Sequence, residues 1–80
     1  MHDLVSYVKR SNVRKIILEN VENPITPTEL ASELKIHRSA VSRSIIELKN
    51  KGLVDCLTPN EKRGRLYRIS ELGKKVLRMM

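Results

Sequence analysis
Two helix starts and one helix stop fall between Thr26 and Gly52, with only Lys35-Ile36-His37 between the two helices. Thr26-Pro27-Thr28-Glu29 is a complete start signal. Thr26 can cap free N–H groups, Pro27 suits the first helical position, and Glu29 can reach back to the Thr26 backbone. Leu30, Ala31 and Leu34 then form one apolar stripe. His37 begins the second helix, and Val41, Ile45 and Leu48 recur at i, i+4 and i+7 on its inner face. Gly52 ends it in the left-handed conformation that glycine adopts without penalty. The unit is a helix-turn-helix.

The outer face of the second helix differs from its inner face. Arg38, Ser39, Ser42 and Arg43 lie near its N-terminal end, off the apolar stripe. Small residues let the backbone approach a phosphate surface, and arginines can reach base edges. This is the layout of a helix whose first turns read the DNA major groove. His37 reads first as a cap, with a phosphate contact as the alternative.

The flanking segments can be read from the same rules. Leu4, Val5 and Val8 pattern a short first helix over Met1–Arg10. Ser11 or Asn12 restarts the chain, and Val13, Ile16, Ile17 and Val21 pattern a helix ending near Glu22. Asn23-Pro24 terminates it, and Ile25-Thr26 is extended. Leu53–Leu57 and Arg65–Ser70 have strand character, with Tyr67 and Ile69 on one side and Leu66 and Arg68 on the other. The loop between them is rich in turn residues and cations, so the pair is a β-hairpin. Its tip carries Lys62, Arg63 and Arg65, placed to lie along phosphates or to enter a minor groove. Ser70 caps a last helix with Leu72, Val76 and Met79 or Met80 along one stripe. Gly73 inside that helix implies a close approach. An exposed Leu77/Met79/Met80 end suits a dimer interface; the alternative is that it folds back on the first helix.

The expected architecture is therefore mainly α with a small β-hairpin, in the α+β class. It is a winged helix-turn-helix with additional N- and C-terminal helices, and one domain spans 1–80. Its parts are a helix-turn-helix at 26–52, a wing at 53–70 and a last helix at 71–80.

Charge narrows the partner. The sequence has 16 Lys and Arg against 9 Asp and Glu, a net charge of +7. Nine of those cations and only three of the acids lie between Lys35 and Arg68. A concentrated patch is the footprint of a polyanion partner. Membrane-surface helices use Trp or Phe on the apolar face, and the sequence has neither. Single-strand binders use stacking aromatics, and only Tyr7 and Tyr67 are present. Double-stranded DNA is the expected partner, with the contacts carried by Arg38, Ser39, Ser42, Arg43, Lys62, Arg63 and Arg65.

Other classes find little support. No run approaches the ~18 apolar residues of a membrane span, and the start has no signal-peptide pattern. One cysteine permits neither an internal disulfide nor a multi-cysteine zinc site. Cys56 reads as a half-buried structural residue rather than a redox sensor. No nucleophile–base pair, phosphate loop or carboxylate pair stands out. The expectation is a cytoplasmic protein that is not an enzyme and needs no cofactor.

The run TPTELASELKIHRSAVSRSIIELKNKGLVDCLTPNEKRGRLYRISELGKKVL resembles winged-helix transcription regulators of the MarR/ArsR type, most of all the small single-domain regulators of archaea. The resemblance rests on ELASEL, on HRSAVSRSIIELKNKGLV, on the RGRLY wing and on ISELGK. It implies DNA contacts from Arg38, Ser39, Ser42 and Arg43, wing contacts from Arg63 and Arg65, and a homodimer on a pseudo-palindromic operator joined through terminal helices. The pattern departs from ArsR metal sensors, because one Cys with the distant His2 and His37 cannot supply their ligands. It also departs from larger MarR proteins, since this chain is short for their ligand pocket. Two other functions fit the same charge: a winged helix that binds RNA or a protein, and an architectural DNA binder without base preference.

Overall fold
Five helices and one hairpin make up the computed structural model, which describes residues 2–80. They are α1 (His2–Lys9), α2 (Asn12–Glu19), α3 (Pro27–Leu34), α4 (Arg38–Asn50), β1 (Val54–Cys56), β2 (Tyr67–Ile69) and α5 (Glu71–Arg78). This is the expected α+β winged helix-turn-helix. Met1, included in the expected first helix, lies outside the described residues.

Local signals set most of the boundaries. Ser11 caps α2 through its side chain, which accepts from the Arg14 N–H. The Thr26 hydroxyl accepts from the Glu29 N–H at 3.2 Å, and a Glu29 carboxylate oxygen accepts from the Thr26 N–H at 3.3 Å. The capping box is therefore complete, with Pro27 in the first turn. The turn into α4 is tight because Lys35 is left-handed, with φ 56°. Such a conformation costs a residue with a Cβ roughly 1–2 kcal/mol, which the packing on both sides must offset. His37 caps α4 by accepting from the Ser39 N–H through Nδ1. Gly52, with φ 78°, ends it. Its N–H donates to the Lys49 carbonyl and the Leu53 N–H to the Leu48 carbonyl, both at 2.9 Å. That pair of bonds is a Schellman stop.

The core lies where α2, α3 and α4 meet the hairpin and α5. Ile17, Leu18, Leu30, Val41, Ile45 and Leu48 are buried to within 1% of full enclosure. Burial of side chains of this size stabilises by about 1.5–3 kcal/mol each. Two boundaries differ from expectation. Helix α2 ends at Glu19, not near Glu22, because the Asn20 side chain donates to the Ile16 carbonyl at 2.7 Å and closes the last turn. Val21 is fully buried, but from the connecting segment. Residues one apart on a helix differ by about 100°, so Ile16, Ile17 and Leu18 cannot all face inward. Ile16 is the one left out, at 37% exposure.

Both strands are shorter than their sequence pattern, three residues each. They pair antiparallel with Val54 opposite Ile69, Asp55 opposite Arg68 and Cys56 opposite Tyr67. The backbone of β2 is used on both edges. Toward β1, the Leu66 carbonyl accepts from Leu57 and the Ser70 N–H donates to Leu53. Toward the α2–α3 connection, Tyr67 exchanges two bonds with Ile25, and the Ile69 N–H donates to Val21 at 2.8 Å. Ser70 then joins three elements. Its hydroxyl donates to the Gly52 carbonyl at 2.6 Å and accepts from the Gly73 N–H at 3.0 Å.

At the end of the chain, Leu77 and Met80 are partly buried against the core, and α5 touches α1. Both residues therefore pack on their own chain, and Leu77 lines a shallow groove with Leu18 of α2. The exposed apolar end is reduced to Met79, at 46%.

Gly73 sits against the backbone: a Cβ there would lie 2.2 Å from the Leu53 carbonyl oxygen. Alanine gains ~1 kcal/mol in helix propensity, but this clash outweighs it. Gly73→Ala is expected to destabilise by about 2 kcal/mol or more in denaturant melts. Gly64→Ala, in open space at φ +63°, is expected to cost only about 1 kcal/mol, the left-handed strain alone. Equal costs at the two positions would contradict the close approach.

Candidate nucleic-acid interface
Helix α4 is the longest helix at 13 residues, and its two faces are chemically distinct. Val41, Ser44, Ile45 and Leu48 are buried. Arg38, Ser39 and Arg43 are exposed and Ser42 is half-buried. At about 100° per residue, Arg38, Ser42, Ser39 and Arg43 spread over an arc of roughly 140° on the outer side. The tight Lys35 turn and the His37 cap fix where that arc begins. The Ser39 hydroxyl lies 2.8 Å from His37 Nδ1, so this serine is held against its own helix start.

The loop between β1 and β2 carries the second group of cations. Its closure is built from backbone and side-chain bonds. Thr58 Oγ1 accepts from the Leu66 N–H at 2.9 Å, and the Glu61 N–H donates to the Thr58 carbonyl. Arg65 Nε donates to the Glu61 carbonyl at 2.5 Å. Gly64 supplies the positive φ that the tip requires. Lys62, Arg63 and Arg65 are all exposed.

Between α4 and this loop runs an open groove of about 670 Å³. Five of the seven expected contact residues line it: Arg38, Ser42, Lys62, Arg63 and Arg65. Ser39 and Arg43 are on the same outer arc of α4 but do not line the groove. The sequence reading missed other lining residues. Thr26, Pro27 and Thr28 enter from the start of α3, and Ile45, Ile46, Gly64 and Tyr67 complete the walls. The α3 start had a usable signal, because the first helix of a helix-turn-helix crosses the DNA backbone. Ile46 also had one, as an apolar residue on the polar outer arc of α4.

The groove is electrostatically uncompensated. Among the described residues, ion pairs join only Arg14 to Glu47 and Lys74 to Glu71. Neither involves a cation of α4 or of the loop. The Arg14–Glu47 contact, at 3.9 Å, instead occupies the one acid of α4 with a cation from α2. Arg14 also stacks over the Tyr7 ring at 3.9 Å and donates to the Tyr7 carbonyl. No group of three or more His, Cys, Asp or Glu able to hold a metal occurs among the described residues. None of their helices is long and apolar enough to cross a membrane.

A helix-turn-helix followed by a basic two-stranded loop, closed by a further helix, defines the winged-helix class. Within it, this chain belongs to the MarR family, whose model matches residues 16–65. It is 30% identical over 78 residues to YdgG, an uncharacterized HTH-type transcriptional regulator of Bacillus subtilis (strain 168), covering 94% of this chain and 51% of YdgG. The reduced form of MarR from E. coli superposes with a TM-score of 0.78 at 28% identity, over 96% of this chain and 59% of that one. A mutant E. coli MarR complexed with operator DNA gives a TM-score of 0.77 at 28% identity, over 94% and 56%. The chain thus spans about half the length of the relatives it matches.

The Thr58–Leu66 bond is expected to hold the loop in shape. Thr58→Val keeps the side-chain volume and removes the acceptor, at a cost of about 1 kcal/mol. The Leu66 amide should then exchange with solvent about fivefold faster, with little change in α4. Unchanged exchange at Leu66 would contradict this role.

Proposed function
We propose that this chain is a sequence-specific duplex-DNA-binding regulator of transcription. In this reading α4 enters the major groove and the basic loop lies on the adjacent backbone or in the minor groove. One observation carries the proposal: Arg38 and Ser42 on the outer face of α4 line a single groove with the loop cations, and none of those cations is ion-paired among the described residues. The operator DNA held by the E. coli MarR mutant supports the same partner.

The contacts divide by chemistry. Lys62, Arg63 and Arg65 meet phosphates, where they release counterions and supply affinity without reading sequence. Arg38 and Arg43 reach base edges, where a bidentate contact to guanine discriminates. Ser39 and Ser42 let the helix backbone approach closely. The α3 start, with Thr28 exposed at its first turn, is placed for a phosphate contact. The chain acts in the cytoplasm as a homodimer joined through its terminal helices, on half-sites related by two-fold symmetry. Exposed Met79 supplies an apolar contact at that end.

Selection of bound duplexes from a random pool is expected to enrich a palindrome with half-sites about 10 base pairs apart. On that duplex, Arg43→Ala should cost roughly 1–3 kcal/mol and relax base preference at one position. Arg63→Ala should weaken all sequences alike and reduce the salt slope by about one. Binding without enrichment, or equal losses on selected and random DNA for Arg43→Ala, would overturn sequence-specific recognition. A preference for structured RNA would point to the alternative partner.

A further inference from the structure
Among the exposed large hydrophobic residues, Ile46 stands apart at 53%, the highest of the four. It lies on α4 beside the cations and serines, not on the buried stripe. Taking about 100° per residue from Arg38, Ser42 falls near 40°, Ile46 near 80°, Ser39 near 100° and Arg43 near 140°. Ile46 is thus close to the middle of the outer arc, about 12 Å along the axis from Arg38. It also lines the groove with Arg38, Ser42 and the loop residues. Its side chain packs into no core, and no fold requirement accounts for it.

We infer that Ile46 is a specificity-determining residue that reads the C5 methyl group of a thymine in the major groove. The inference rests on the duplex-DNA reading above. A β-branched aliphatic side chain offers no hydrogen bond. Against guanine, cytosine or adenine edges it would strip water from donors and acceptors and leave them unpaired, which is unfavourable. The thymine methyl is the one apolar group that a base pair presents on this side. Contact with it removes apolar surface from water on both partners. The arginines on either side set the position of the helix, and Ile46 then fits only where a methyl stands opposite.

The test uses the duplex enriched by the wild-type protein, with each thymine replaced singly by deoxyuridine. This removes the methyl and leaves the O4 acceptor in place. At one thymine or more, wild-type protein should bind the uracil duplex about fourfold more weakly, the effect of one methyl leaving an apolar contact. Ile46→Ala, at an exposed position where alanine favours the helix, should fold as the wild type does. It should bind the thymine duplex more weakly and no longer distinguish thymine from uracil at that position. Two results overturn the inference alone: wild-type binding indifferent to every thymine methyl, or Ile46→Ala discriminating as strongly as wild type. If no duplex is enriched, the duplex-DNA reading fails and this inference fails with it.

Discussion
Two hydrogen bonds between Ile25 and Tyr67, at 3.0 and 2.9 Å, hold the two halves of the groove together. A two-stranded hairpin with three residues per strand is not stable alone in water. Here β2 is held from both edges, by β1 on one side and by Val21 and Ile25 on the other. Ile25 directly precedes Thr26, the residue that caps α3. The start of the helix-turn-helix and the base of the loop therefore share one anchor, and Tyr67, 5% exposed, packs there as a groove wall. Displacing that pair would change the angle between the basic loop and α4 without touching any cation. The Gly73 approach to Leu53 and the Ser70 bond to Gly52 fix the same hairpin from the α5 side.

Electrostatics follows from that placement. Cations concentrated on α4 and the loop repel one another, which costs stability in the free protein. The fold leaves this cost in place rather than neutralising it. The acid within α4 faces Arg14 of α2, so the compensating pair is built away from the groove. Arg65 is restrained through its Nε, and its terminal nitrogens make no hydrogen bond among the described residues. A surface held in this state favours any arrangement of phosphates that fits its spacing.

What could be read from the residues and what could not divides along local and non-local lines. The Thr26 capping box, the Gly52 stop and the Ser70 cap are each encoded within a few residues, and each is present. The polar arc of α4 was legible because helical periodicity is itself local. The early end of α2 was encoded too, in Asn20, but competed with a longer hydrophobic pattern through Val21. Three features were not local. The strands pair over only three registered residues, Val54–Cys56 with Tyr67–Ile69, although the β-rich sequence runs further. Leu77 and Met80 pack against a core assembled from distant helices. The groove gathers α3, α4 and the loop, and no periodicity links Thr28 to Arg63. Lys35 is a further case: glycine is the usual signal for its conformation, and the turn forms there without one.

The most direct test of the central claim, that α4 and the loop form one DNA-binding surface, is amide chemical-shift mapping. Isotope-labelled protein would be titrated with an enriched duplex. The largest changes are expected at the start of α3, along the outer arc of α4 from Arg38 to Ile46, and in the loop from Glu61 to Leu66, with all three groups titrating together. Changes centred on α1 or α5, with α4 and the loop unperturbed, would contradict it.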